Sequence, residues 1–172
     1  MLDALPKVLE KHPKTKVLFA GQHEGVWGEQ EYYSRLLPRI RELESQGKWK
    51  FLGVLPLSSM PAFFANLDVI CVPSLNSTET FGFVQIEAMM NSVPSIASNL
   101  PGVRQPVKMT EMGEIIPIGS SDALARALIH VLSDPGKYRG DSEALRMQFS
   151  PLSAAIRYEA LFEEIRQEIG GK

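Results

Sequence analysis

The sequence predicts an α/β fold built on a doubly wound parallel sheet, and three observations carry that reading. Short β-branched runs alternate with longer stretches of helical period. The clearest run, Val69-Ile70-Cys71-Val72, is apolar on both faces and bounded by Asp68 and Pro73, as a buried parallel strand would be. A small polar loop then leads into Phe83, Ile86, Met89 and Met90, which recur at helical spacing on one expected apolar face.

The elements follow in order. Leu2, Leu5, Val8 and Leu9 have helical spacing, Pro6 falls in the first turns where proline is tolerated, and the helix should end near Lys11-His12-Pro13. Lys16 to Ala20 reads as a strand stopping at Gly21. In the loop that follows, His23 and Glu24 read as a solvated pair rather than ligands, and Trp27 either covers a base or packs the loop. Glu29 to Gln46 carries Tyr32, Leu36, Leu37, Ile40 and Leu43 at helical spacing, with a possible kink at Pro38. Trp49 to Leu52 is a strand that leaves through Gly53-Val54-Leu55-Pro56.

Ser58 suits an N-cap for a helix through Asn66. Strands are expected at Asp68–Val72, Ser95–Ala97 and Gly113–Pro117. Ser121 or Asp122 should cap a helix over Ala123–Leu132. After Asp134-Pro135-Gly136, a helix is expected over Ser142–Gln148. A last amphipathic helix starts at Ser150-Pro151, with Ile156, Leu161, Phe162, Ile165 and Ile169 as its apolar positions, and Gly170-Gly171 should stop it.

At 172 residues the chain reads as one domain, with a core over 2–134 and C-terminal helices over 135–170. A net charge of −2 without any block of like charge argues against a nucleic-acid surface. The single cysteine, Cys71, rules out an intrachain disulfide and a cysteine metal cluster, and its place in a strand reads as a small core residue. No apolar run approaches the ~18 residues of a membrane span. No basic-then-apolar leader opens the sequence, so a cytoplasmic setting is expected.

The strand, loop and helix from Val69 to Met90 form the candidate site. Ligands of open α/β sheets bind beyond the carboxyl ends of the strands, and free N–H groups of a helix start suit a phosphate. With the helix expected from about Thr80, the amides of Phe81, Gly82, Phe83 and Val84 would face that ligand. Glu79 and Glu87 frame the turn. A carboxylate beside a phosphate is favourable only when it accepts bonds from hydroxyls of the same ligand. Glu87, among Phe83, Val84, Ile86 and Met90, is expected half-buried, which costs free energy without a partner. A sugar nucleotide offers both a diphosphate and hydroxyls. This reading requires both acids to border one open hollow.

Glu79 and Glu87 are seven residues apart, with Phe81-Gly82 between them and Ala88-Met89 after. The set resembles the E-x7-E motif of the retaining glycosyltransferases of family four, which have the GT-B fold. Phe51-Leu52-Gly53, Ala65-Asn66-Leu67-Asp68-Val69, Val93-Pro94-Ser95-Ile96-Ala97-Ser98 and Leu100-Pro101-Gly102-Val103-Arg104-Gln105 resemble further motifs of that family in the same order. The likeness runs from Leu2 to about Asp134. It implies the C-terminal, donor-binding half of such an enzyme. Glu79 would be the catalytic residue, its carboxylate accepting bonds from donor-sugar hydroxyls, and Glu87 would accept from ribose. Thr80 to Val84 would line the donor, and Val54 would meet the base. Neither metal nor cofactor is expected; the ligand is the nucleotide-diphosphate sugar.

The likeness also implies gaps. The family's acceptor domain, the first strand of this domain and the arginine and lysine after that strand have no counterpart here. The resemblance therefore implies a chain that does not turn over by itself. Without the central strand of a 3-2-1-4-5-6 order, the strands near Val17 and Val69 lose their shared neighbour, at a cost of order 1–3 kcal/mol per unpaired buried group. Either a partner fills the gap, by homodimer or strand exchange, or the sheet closes up. An isolated chain with separate pieces and an empty slot would count against both. The alternative functions are a non-catalytic α/β interaction module, another GT-B enzyme of the glycogen synthase, sucrose synthase or epimerase kind, and, least supported, a flavodoxin-like module.

Overall fold

The computed structural model describes residues 1–76 and 79–170. Its elements alternate as expected: α1 (Leu5–Lys11), β1 (Val17–Ala20), α2 (Gln30–Ser45), β2 (Trp49–Gly53), α3 (Met60–Ala65), β3 (Ile70–Val72), α4 (Phe83–Met89), β4 (Ser95–Ser98), α5 (Gln105–Thr110), β5 (Gly113–Ile116), α6 (Ser121–Ser133), α7 (Ser142–Gln148) and α8 (Pro151–Gly170). All pairings are parallel, but the five strands form two sheets rather than one, β1-β2 and β3-β4-β5. The two pieces stay apart around an open cavity, the outcome that counts against both the closed-up sheet and the filled gap.

The α1 segment holds the pieces together by packing into a core on each side. α1 packs Ala4 and Val8 against Leu124, Leu128 and Val131 of α6, in one core with Ile96 and Ile116. Outside that core, Lys7 Nζ donates to Asp122 Oδ1 over 2.7 Å. Under the β1-β2 sheet, Leu2, Leu5, Ile40 and Trp49 form a second cluster. The other face of β3-β4 is covered by α3 and α4 through Phe64, Ala88 and Val93.

Local departures have local causes. Ser120 caps α6, its hydroxyl accepting from Ala123 N at 3.2 Å, one residue ahead of the expected Ser121 or Asp122. A 3-10 turn over Leu57–Ser59 displaces Ser58 from the α3 cap, and Ser59 stands there without a side-chain bond. Pro38 lies inside α2 without ending it. α5 escaped the periodicity reading because only six residues separate its Pro-rich start from Glu111, which adopts φ 57°. Gly170 is the last residue of α8; Gly171, expected to stop the helix with it, lies outside the described residues.

Candidate functional site

β3 delivers the chain to the carboxyl end of its sheet at Pro73, and the turn Glu79–Gly82 hands it to α4. Ser77 and Thr78, between them, lie outside the described residues. α4 begins at Phe83, not near Thr80. Gly82 is its cap in the left-handed region, φ 81°, and accepts from Gln85 N at 2.9 Å. The amides of Phe81 and Gly82 therefore precede the helix instead of forming its first turn.

The turn is held from two sides. Gln85 is fully buried. Its Nε2 donates to the Val103 carbonyl and its Oε1 accepts from Ser95 Oγ, both at 2.8 Å. On the other side, the turn after β4 abuts the Glu79–Gly82 turn so closely that a β-carbon on Gly102 would lie 1.9 Å from Thr80 O. Glycine is required at 102 by contact and at 82 by φ. Phe81 packs half-buried near Phe149, with centroids 6.3 Å apart.

The two acids part company. Glu79 is exposed and lines a cavity of about 1290 Å³ together with Val84, Pro73 and Ser74. Glu87 is exposed, not half-buried, and does not line that cavity. The cause is the phase of α4. Gln85, Ile86, Ala88 and Met89 turn inward, which leaves Phe83 (63% exposed) and Glu87, one turn apart, on the outer face. Phe83 thus leaves the expected apolar face, and the requirement of one hollow shared by both acids is not met. Val54 stands 76% exposed at the end of β2, outside the cavity.

The β1-β2 loop resolves differently from its reading. His23 stacks on Phe51 with centroids 3.8 Å apart and an angle of 5°, so it is a packing residue rather than a solvated one. Trp27 is 99% exposed and packs nothing in its own domain. Gln85 and Gly102 were the residues missed. A polar side chain amid an inward apolar face was the legible signal for the first, and nothing local marks the second. In the turn beside Gly102, Ser98 Oγ and Arg104 Nε are buried without a protein partner among the described residues. Among those residues no cluster of metal-ligating side chains occurs, and no helix is long and apolar enough to cross a membrane.

The family model of the glycosyl transferases group 1 matches residues 1–147. The chain belongs to that family. It is 32% identical over 132 residues to a phosphatidyl-myo-inositol mannosyltransferase of Mycobacterium leprae, covering 77% of this chain and 32% of that protein. In fold it is similar to the sucrose-phosphate synthase of Thermosynechococcus elongatus, with a TM-score of 0.75 and 24% identity over 95% of this chain and 42% of the other. Anabaena HepE, solved in complex with UDP-glucose, has a TM-score of 0.63 and 24% identity over 90% of this chain and 44% of its own. The group 1 chain thus spans about a third of the length of the curated relative it matches, and its two sheets with flanking helices are the Rossmann-like half of a GT-B fold.

Proposed function

We propose that this chain is the donor-binding, C-terminal domain of a retaining glycosyltransferase, which moves a sugar from a nucleotide diphosphate to an acceptor hydroxyl. The observation that carries the reading is Glu79, held at the carboxyl end of β3 on the rim of a large cavity, in a family member over residues 1–147. The binding of ligands beyond the carboxyl ends of the strands in open α/β sheets agrees with that position. Glu79 accepts bonds from hydroxyls of the donor sugar. The shared hollow is given up in this reading: Glu87, exposed on the outer face of α4 and off the cavity that Glu79 lines, would have to meet ribose from outside that cavity. The amides around Phe81, Gly82, Phe83 and Val84 and the side chain of Thr80 border the diphosphate, and Val54 meets the base.

Stabilising a departing diphosphate needs donors or cations aimed at it. The Ser98 hydroxyl, at the carboxyl end of β4, and Arg104 Nε, two residues after Gly102, are buried without a partner among the described residues on either side of the turn that touches Thr80. No metal is required in this scheme. In this reading residues 1–172 by themselves bind donor without turning it over.

Calorimetric titration with UDP, GDP and ADP and the corresponding sugar nucleotides tests the reading. Binding of one nucleotide diphosphate, unchanged by EDTA, is expected. Binding of none of them, with the fold intact by circular dichroism, would leave the interaction-module reading in its place.

A further inference from the structure

We propose that a hollow at the amino end of β5 binds a small zwitterion of the amino-acid class, which carries an ammonium and a carboxylate. The proposal does not depend on the nucleotide reading. The hollow measures about 430 Å³. Glu111 and Glu114 border it from the start of β5, and Lys137, Tyr138 and Arg139 from the 3-10 turn Pro135–Tyr138 and the residue after it. It shares no residue with the cavity that Glu79 lines.

Four charges, two of each sign, line this hollow without closing on one another. Among the described residues Glu111, Lys137 and Arg139 make no ion pair, and Glu114 meets only His130, at 3.2 Å. Glu114 is the anchor. Its side chain is 26% exposed, and its Oε1 accepts from the Tyr138 hydroxyl at 2.5 Å and also faces His130 Nδ1. Oε2 has no hydrogen-bond partner among the described residues. A mostly buried carboxylate that uses one oxygen keeps acceptor capacity for a donor in the hollow. Opposite it, the buried Tyr138 ring holds Lys137, whose Nζ stands 5.1 Å from the centroid.

These charges select the ligand. A simple anion at Lys137 and Arg139 would be repelled by the two carboxylates, and a simple cation at the carboxylates by the two bases. A molecule with both charges satisfies both walls. Its ammonium supplies donors to Glu111 and to Glu114 Oε2, and its carboxylate accepts from Lys137 and the planar Arg139 guanidinium. The volume lies at the small end of ligand pockets, which run from roughly 300 to 1,000 Å³. Because exposed charge pairs are individually weak, a Kd of about 1–10 mM is expected.

The test titrates the chain with L-alanine, β-alanine and γ-aminobutyrate, which place the two charges at increasing separation. Methylammonium and acetate, each with one of the charges, are the controls at equal ionic strength. One of the three zwitterions should shift the amide resonances of Glu111, Glu114, Tyr138 and Arg139 saturably, at least about tenfold more tightly than either control. Glu114→Gln keeps an acceptor for the Tyr138 hydroxyl but loses the charge, and should weaken that binding about tenfold or more. Arg139→Gln, at an exposed position, should do the same from the other wall, and decides the matter if the first variant unfolds. No saturable shift with any of the three overturns the proposal. So does equal binding of acetate or methylammonium, or binding that survives Arg139→Gln and a folded Glu114→Gln unchanged.

Discussion

Gly102 and Thr80 touch through backbone: a β-carbon on the glycine would fall 1.9 Å from the threonine carbonyl oxygen. The neighbour is a peptide group, not the end of a flexible side chain, so it cannot step aside without moving the Glu79–Gly82 turn. Gly102→Ala is expected to cost about 1–3 kcal/mol, as overpacking does. At this chain length that corresponds to roughly 2–4 °C of Tm per kcal/mol. It should also weaken nucleotide binding, because the displaced turn carries the proposed donor contacts. A calorimetric scan and a titration on the same variant check the two effects, and unchanged values of both would mean the turn has slack.

Gln85 links α4 to β4 and to the Val103 carbonyl through two buried bonds of 2.8 Å. Gln85→Leu removes both and strands Ser95 Oγ, so destabilisation of about 1–3 kcal/mol is expected. Adding Ser95→Ala deletes the stranded hydroxyl and should restore part of the loss, a non-additivity that denaturant titration of the double-mutant cycle reads directly.

These two contacts also show where sequence stopped being informative. Alternating strands and helices were legible because Val69–Val72 and the Leu124–Val131 stretch carry strong periodicity. The absent shared neighbour of β1 and β3 was legible, but the resulting split into β1-β2 and β3-β4-β5 was not, since the gap was expected to be filled or closed. The phase of α4 was not legible. Phe83 looks like a core residue, yet the left-handed cap at Gly82 starts the helix late and rotates Phe83 and Glu87 outward. Gly102 depends on a contact 22 positions away with Thr80, which no local pattern encodes.

Acid should loosen the join between the two sheets first. Asp122 is held below the usual carboxylate range by the hydrogen bond from Lys7 and then by its charge, and Asp3 likewise by Arg39. A depressed folded pKa contributes stability that is present above the unfolded value, near 3.8, and lost as pH falls through the folded one. Both pairs are solvent-exposed and so individually weak. Lys7→Met should nevertheless reduce the slope of stability as pH falls below the unfolded value near 3.8, measured by urea titration, and leave the slope unchanged near pH 7.

Alkali acts through Tyr138 and Cys71. Burial, and then the bond to Glu114 at 2.5 Å, raises the Tyr138 phenol from 10.0 to about 12. Burial also raises the Cys71 thiol from 9.0 to about 12; its side chain is only half-buried because it borders the large cavity, but protein surrounds it closely elsewhere. Each group ionises more readily in the unfolded chain, so the stability it contributes is complete below its unfolded value and is lost as pH rises towards 12. Cys71→Ala should shift the onset of alkaline unfolding from about pH 9 to about pH 10, where Tyr138→Phe then removes the remaining slope. Circular dichroism against pH for the two single variants and the pair distinguishes these contributions.

The two acids should separate in a binding experiment if, as proposed, they hold different parts of one donor. Glu79→Ala should abolish the extra affinity that a sugar nucleotide has over its parent nucleotide diphosphate, and leave the diphosphate itself bound as before. Glu87→Ala should weaken both ligands alike. A lost bond between a carboxylate and a hydroxyl is worth about 1.5–3 kcal/mol, or roughly 10- to 100-fold in affinity. The exposed position of Glu87 on the outer face of α4 places its effect at the low end of that range, since solvent competes for the carboxylate. If Glu87→Ala changed neither affinity while Glu79→Ala did, ribose would be held by another group, and the outward phase of α4 would be the physical reason.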